Sequence, residues 1–176
     1  MKDWVIAWLT RTRELITEHR ELLNELDREI GDGDHGEALD RAFSLMKLDG
    51  DFASGADALH QVSIGLRTNL PGAGGEILAG SYQRMAEVLA LADDMVADDY
   101  PDVVPVDGIG QGGSNIVAAV IEAGNAAAQD LGQAAEGDKT FVDAWAPAAR
   151  AARESADAGG SVADALSAAS EAARAG

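Results

Sequence analysis

Apolar residues recur along the chain at steps of three, four and seven, the spacing that gathers side chains onto one face of a helix. Val5, Trp8, Leu9, Leu15, Ile16, Leu22, Leu23 and Leu26 make up the first series and predict a single long helix. A second helix is expected from about His35 to Leu48. Further series follow at Leu59, Val62 and Leu66, at Leu78, Tyr82, Met85 and Leu89, and at Ile116, Val117, Val120 and Ile121. Two more centre on Phe141, Val142 and Trp145 and on Val162, Leu166 and Ala169, with Ser114 and Ser161 placed as N-caps. No strand alternation stands out. The short VVPV at 103–106 lies between breakers and reads as loop. Seven helices joined by Gly- and Asp-rich turns predict an all-α fold, an antiparallel bundle or barrel of one domain spanning 1–176.

Composition narrows the setting. There are 176 residues and no cysteine, so a disulfide framework is excluded and a reducing, cytoplasmic location is the expectation. No apolar run is long enough to predict a membrane span. The 31 acidic residues against 13 basic give a formal net charge of −18, which disfavours nucleic acid and anionic lipid as partners. Such a surface suits divalent cations, although many acidic surfaces serve solubility alone. The alanine-rich end, ADALSAASEAARA, has high helix propensity and side chains small enough for close helix approach.

The densest chemistry lies in LDREIGDGDHG, residues 26–36. Gly31, Gly33 and Gly36 let the backbone turn tightly, and Asp32 and Asp34 fall to one side of that turn with Asp27 at the expected end of the first helix. Three converging carboxylates repel one another unless a cation lies among them. Oxygen ligands alone favour a hard ion such as Mg²⁺, which commonly shares its shell with phosphate oxygens. The simpler alternative is that these acids only cap the following helix. A calcium EF-hand is excluded because its fifth loop position, counted from Asp32, is Gly36. With no cysteine and three histidines a zinc cluster is disfavoured. His35 is read as a hydrogen-bond donor to phosphate, His19 as structural and His60 as solvated.

Two further stretches carry weaker signals. LPGAGGEILAG, residues 70–80, places glycines directly before a helix, where free N–H groups can hold an anion; an ordinary interhelical turn accounts for it equally well. GDKT, residues 137–140, lacks the upstream glycine and the Gly-Lys step of a Walker loop and by itself reads as a helix start.

Taken together and in order, LNELDREIGDGDHGEALDRAF, PGAGGEILAG and EGDKTFVDAWAPA resemble the nucleotide-binding L subunit of dihydroxyacetone kinase, a domain that also forms the C-terminal part of single-chain dihydroxyacetone kinases. The resemblance runs through nearly the whole chain. It implies a helical barrel with the nucleotide and metal site at one end. It also implies that Asp27, Asp32 and Asp34 ligate two Mg²⁺ ions bridging the phosphates of ADP or ATP. Carried over by position, His35, Gly36, Glu37 and Ala38 run beside the phosphates, Ala73 and Gly74 belong to the phosphate loop, and Gly132 and Phe141 touch the nucleotide. Lys139 and Asp143 then organise a helix start. No protein nucleophile is implied, since metal and phosphate positioning carries the transfer. The implied partner is a separate K subunit that holds a short-chain ketose. In one branch of the family a phosphotransferase-system phosphocarrier recharges bound ADP, and in the other ATP is exchanged; the sequence is compatible with both.

The chain departs from the family pattern in three places. Ala38 stands where an Asn is usual, removing an amide. PGAGG replaces GGASG or GGTSG, so Pro71 lacks a backbone donor and Gly74 lacks a hydroxyl. The family's final helix and the glycine-containing lid over the nucleotide have no counterpart before Gly176, which leads us to expect seven helices and an apolar groove open to another chain or a second copy. A divergent binding or regulatory module with little kinase activity is the alternative these departures suggest.

Overall fold

The computed structural model describes residues 2–29, 31–46, 48, 50–99 and 112–176. These form eight helices in the order α1 (Lys2–Glu18), α2 (Arg20–Asp27), α3 (His35–Leu45), α4 (Gly55–Asn69), α5 (Ala73–Asp99), α6 (Gly112–Gly132), α7 (Val142–Asp157) and α8 (Val162–Ala175), with no strand among the described residues. The fold is the all-α bundle expected. The VVPV loop falls outside the described residues.

The count is eight because the long first helix divides at His19. There the backbone leaves helical geometry (φ −102°, ψ 11°) and the ring Nδ1 lies 3.0 Å from the Leu15 carbonyl. The apolar series on this segment therefore has two fates. Val5 and Leu9 are fully buried, whereas Leu15, Leu22 and Leu26 are 40%, 53% and 59% exposed. Apart from α1, the element it continues, α2 packs only on α3, so the outward half of its leucines has no neighbour among the described residues.

The main core lies between α1, α3, α4 and α5. Val5, Leu9, Leu59, Val62, Leu66, Met85 and Leu89 are its buried centre. Trp8 stacks between Trp4 and Tyr82, with ring centroids 6.3 Å and 5.7 Å away. The second half is built from small side chains: Ala118, Ala148, Ala152, Ala156 and Ala169 bring α6, α7 and α8 together. Ser161 caps α8 in a reciprocal box with Asp164. Ser114 is not a cap: α6 already includes Gly112, and Ser114 is buried inside its first turn. Among the described residues α8 meets α6 and α7 but not α1, α2 or α3, so the bundle is open on that side.

Helix directions fix where the turns fall. A Cβ on Gly55 would lie 3.1 Å from Val5 and 3.5 Å from Lys2, so α4 starts beside the start of α1. Arg67 pairs with Glu76 at 3.2 Å across the short α4–α5 turn. Gly80 faces Leu131 and Gly132 faces Ile77, so the end of α6 lies against the start of α5. The α4–α5 turn and the α6–α7 loop therefore share one end of the bundle. The α2–α3 turn points to that same end, because α2 continues α1 and α3 runs back from the turn to meet Gly65 of α4 at Met46.

Candidate functional site

The α2–α3 turn is held by its own first aspartate. Asp27 Oδ2 accepts from the backbone N–H groups of Gly33, at 2.8 Å, and Asp34, at 3.2 Å, which folds the glycine-rich segment back over the end of α2. Gly33 adopts φ +79°, a conformation open to glycine and strained for other residues. As a result Asp27, Asp32 and Asp34 each offer a carboxylate oxygen, all within 4.8 Å of one another. Asp27 is half-buried and the other two are exposed. The electrostatic consequence falls on Asp34. The charge of Asp32, then a hydrogen bond with it, raise the Asp34 carboxyl above its ordinary value, and Asp27 adds to the effect while Arg41 opposes it. A divalent cation would relieve this repulsion, and the donor set is the hard-oxygen one that Mg²⁺ takes.

The residues after the turn divide by face. His35 and Glu37 are exposed on the first turn of α3, while Gly36 and Ala38 are buried toward α2 and the core. A Cβ on Gly36 would come within 2.1 Å of the Arg20 carbonyl, so glycine is what permits this close crossing. The N–H groups of Glu37 and Ala38 are already used, by Asn24 Oδ1 at 3.1 Å and by the Asp34 carbonyl at 2.9 Å.

Ala73 and Gly74 are exposed at the N-terminus of α5, following Gly72 at φ +98°. Gly75 is packed so that a Cβ would lie 1.8 Å from the Leu70 carbonyl, whereas a Cβ on Gly74 would meet nothing within 4 Å. One turn further on, Ile77 packs against the buried Ala128, Val142 and Ala146, the same cluster that Ala134 and Phe141 cover. Gly132 lies 3.4 Å from Ile77, measured from an added Cβ, and Phe141 meets Trp145 edge to face at 5.6 Å. The structure thus gathers Ala73, Gly74, Gly132 and Phe141 around the start of α5. The aspartate turn forms a separate patch at that end, since among the described residues the α3 and α5 backbones do not come alongside each other.

The α6–α7 loop is tied down at several points. Asp143 accepts from the N–H of Gly137 at 2.5 Å and of Thr140 at 2.9 Å, bonds that hold its carboxyl below the ordinary value. It organises the start of α7. Lys139 sits at φ +58° and Gln133 at φ +50°, both left-handed. Glu136 makes two bonds to the Arg150 guanidinium, at 2.7 and 2.9 Å, and that contact lowers its carboxyl. Neither this ion pair nor Asn24 was singled out from the sequence. The one available signal for Asn24 was an amide inside an otherwise charged and leucine-rich helix.

The family model described as the DAK2 domain matches residues 29–176. The chain belongs to the DAK2 domain family. Asp32 and Asp34 lie inside the matched stretch and Asp27 just before it. This DAK2 chain is 28% identical over 153 residues to a Listeria innocua protein named PEP-dependent dihydroxyacetone kinase 1, ADP-binding subunit DhaL, covering 85% of this chain and 68% of that one. It is 28% identical over 169 residues to the Escherichia coli PEP-dependent dihydroxyacetone kinase, ADP-binding subunit DhaL, covering 94% and 72%. A Lactococcus lactis PTS-dependent dihydroxyacetone kinase, ADP-binding subunit DhaL, is 29% identical over 146 residues, covering 81% and 65%. No helix among the described residues is long and apolar enough to cross a membrane.

Proposed function

We propose that this chain is the nucleotide-binding subunit of a dihydroxyacetone kinase and transfers a phosphoryl group with the help of Mg²⁺. The observation that carries the reading is the convergence of Asp27, Asp32 and Asp34 within 4.8 Å, in a chain of the DAK2 family. Bound there, Mg²⁺ would neutralise phosphate oxygens. The three aspartates hold the cation, the exposed N-terminus of α5 at Ala73 and Gly74 offers free N–H groups to the phosphates, and Gly132 and Phe141 flank the nucleoside. His35, exposed on the first turn of α3 beside the aspartates, donates to phosphate. Positioning of this kind suffices for phosphoryl transfer without a protein nucleophile.

The acceptor, a short-chain ketose, belongs to a separate K subunit. The names of the relatives support the branch in which bound ADP is recharged by a phosphocarrier, because all are described as PEP- or PTS-dependent ADP-binding subunits. In this reading the protein works in the cytoplasm, the reducing compartment that a chain without cysteine suits.

Calorimetric titration with ADP, with and without Mg²⁺, tests the proposal. Metal-dependent binding that is lost in Asp32→Ala and Asp34→Ala is the expected outcome. ADP binding that is indifferent to Mg²⁺ and to both substitutions overturns it. A complete lack of ADP binding favours the second reading, a divergent binding or regulatory module with weak or no kinase activity, for which the commitment of the Glu37 and Ala38 N–H groups to internal bonds is the supporting observation.

A further inference from the structure

Asp34 is the N-cap residue of α3. An aspartate in that position ordinarily turns its carboxylate onto the N–H of the second or third helical residue. Here it makes no such bond. The N–H of Glu37, the third residue of the helix, donates instead to Asn24 Oδ1 at 3.1 Å. Asn24 comes from α2 and is only 4% exposed. An amide buried in a helix interior is unfavourable both by propensity and by desolvation unless its polar atoms are used. The crossing that brings it into range depends on Gly36, whose Cα faces the Arg20 carbonyl and Asn24 Oδ1 so closely that a Cβ would lie 2.1 and 2.9 Å from them.

We infer that Asn24 is a positioning residue: it caps α3 from the neighbouring helix and thereby frees the Asp34 carboxylate to join Asp27 and Asp32 as a ligand for a divalent cation. The inference rests on the reading of the aspartate turn as a metal site. Besides its contact with Asp32, the Asp34 carboxylate has two alternative partners, the Glu37 N–H and a cation. Asn24 occupies the first and leaves the second. An apolar residue at position 24 would expose the Glu37 N–H, and Asp34 would rotate onto it as an ordinary N-cap, withdrawing one of three ligands.

Mn²⁺ titration of the full chain, followed by electron paramagnetic resonance, reads this without any activity assay. Asn24→Ala is expected to weaken Mn²⁺ binding by about tenfold, the scale typical for residues that hold ligands in place. Asn24→Asp, which keeps an acceptor for Glu37, should bind close to wild type. The distinguishing measurement is the double variant: in an Asp34→Ala background, Asn24→Ala should have no further effect, because the carboxylate it would misdirect is gone. Should Asn24→Ala fail to fold, Asn24→Gln, which displaces the amide by one methylene, serves in its place. An unchanged affinity in Asn24→Ala, or an equal loss with and without the Asp34 carboxylate, overturns the inference while leaving the metal site standing. Failure of the wild-type chain to bind Mn²⁺ at all removes the metal site and the inference with it.

Discussion

Two adjacent glycines at the start of α5 look alike in the sequence and differ sharply in the structure. Gly75 is required, because a Cβ there would meet the Leu70 carbonyl at 1.8 Å. Gly74 faces open space. Its absent hydroxyl is therefore a change of chemistry without a steric cause, and a serine fits. Gly74→Ser should raise the melting temperature slightly, since glycine in a helical turn carries more chain entropy than other residues. It should also strengthen ADP binding several-fold by restoring a donor beside the phosphate-facing N–H groups, as read by calorimetry. Gly75→Ala in the same assay should lose stability instead. If Gly74→Ser folds normally and binds ADP no better, the start of α5 is not a phosphate site. Residues of this kind were legible only in part. The acid-glycine turn announced its chemistry through composition, whereas the difference between Gly74 and Gly75, and the role of Asn24, depend on the Leu70 carbonyl and on an α3 backbone brought alongside by folding.

Helices were the most legible level, because burial of one face imposes a period that survives in the sequence. Each expected helix occurs. The departures have local causes: His19 interrupts the first helix, and Leu22 and Leu26 keep the helical spacing yet stay exposed because, among the described residues, α2 meets only its neighbours α1 and α3. Ser114 misled because small polar residues also occur inside helices, where this one is buried. Ser161 caps α8 as its position before the apolar series implies, and its capping box has a consequence for acid stability. The hydroxyl and N–H of Ser161 hold the Asp164 carboxyl below its ordinary value of 3.8, and Gly137 and Thr140 do the same for Asp143. A carboxyl with a depressed value in the folded state stabilises the fold above its unfolded value and loses that contribution as pH falls through the folded one. Melting temperature should therefore decline as pH is lowered through and below about 4. Asp143→Asn and Ser161→Ala should each flatten that decline, and Ser161→Ala should also melt about 2–4 °C lower at neutral pH through loss of the cap. Identical acid limbs in all three proteins would contradict this assignment.

At the scale of the whole molecule, the charge of −18 sets two different responses to added ions, and only one of them belongs to the site. Dispersed surface acids repel one another over distances that ordinary salt screens, so NaCl should raise the melting temperature gradually whether or not the aspartate turn is intact. The turn adds a separate response. Its carboxylates are crowded by the bonds from Gly33 and Asp34 to Asp27, which exist only in the folded chain, so a cation bound among them favours the folded state by mass action. Millimolar Mg²⁺ at matched ionic strength should then stabilise the wild type by several degrees beyond NaCl. The doubly substituted Asp32→Asn/Asp34→Asn protein should start from a higher baseline, because repulsion within the turn is gone, and should respond to Mg²⁺ and NaCl alike. Calorimetric melts of the two proteins in both salts decide the matter. Equal Mg²⁺ increments in wild type and variant would mean that the cation acts on the acidic surface as a whole, and the turn would keep its shape without the proposed ligand chemistry.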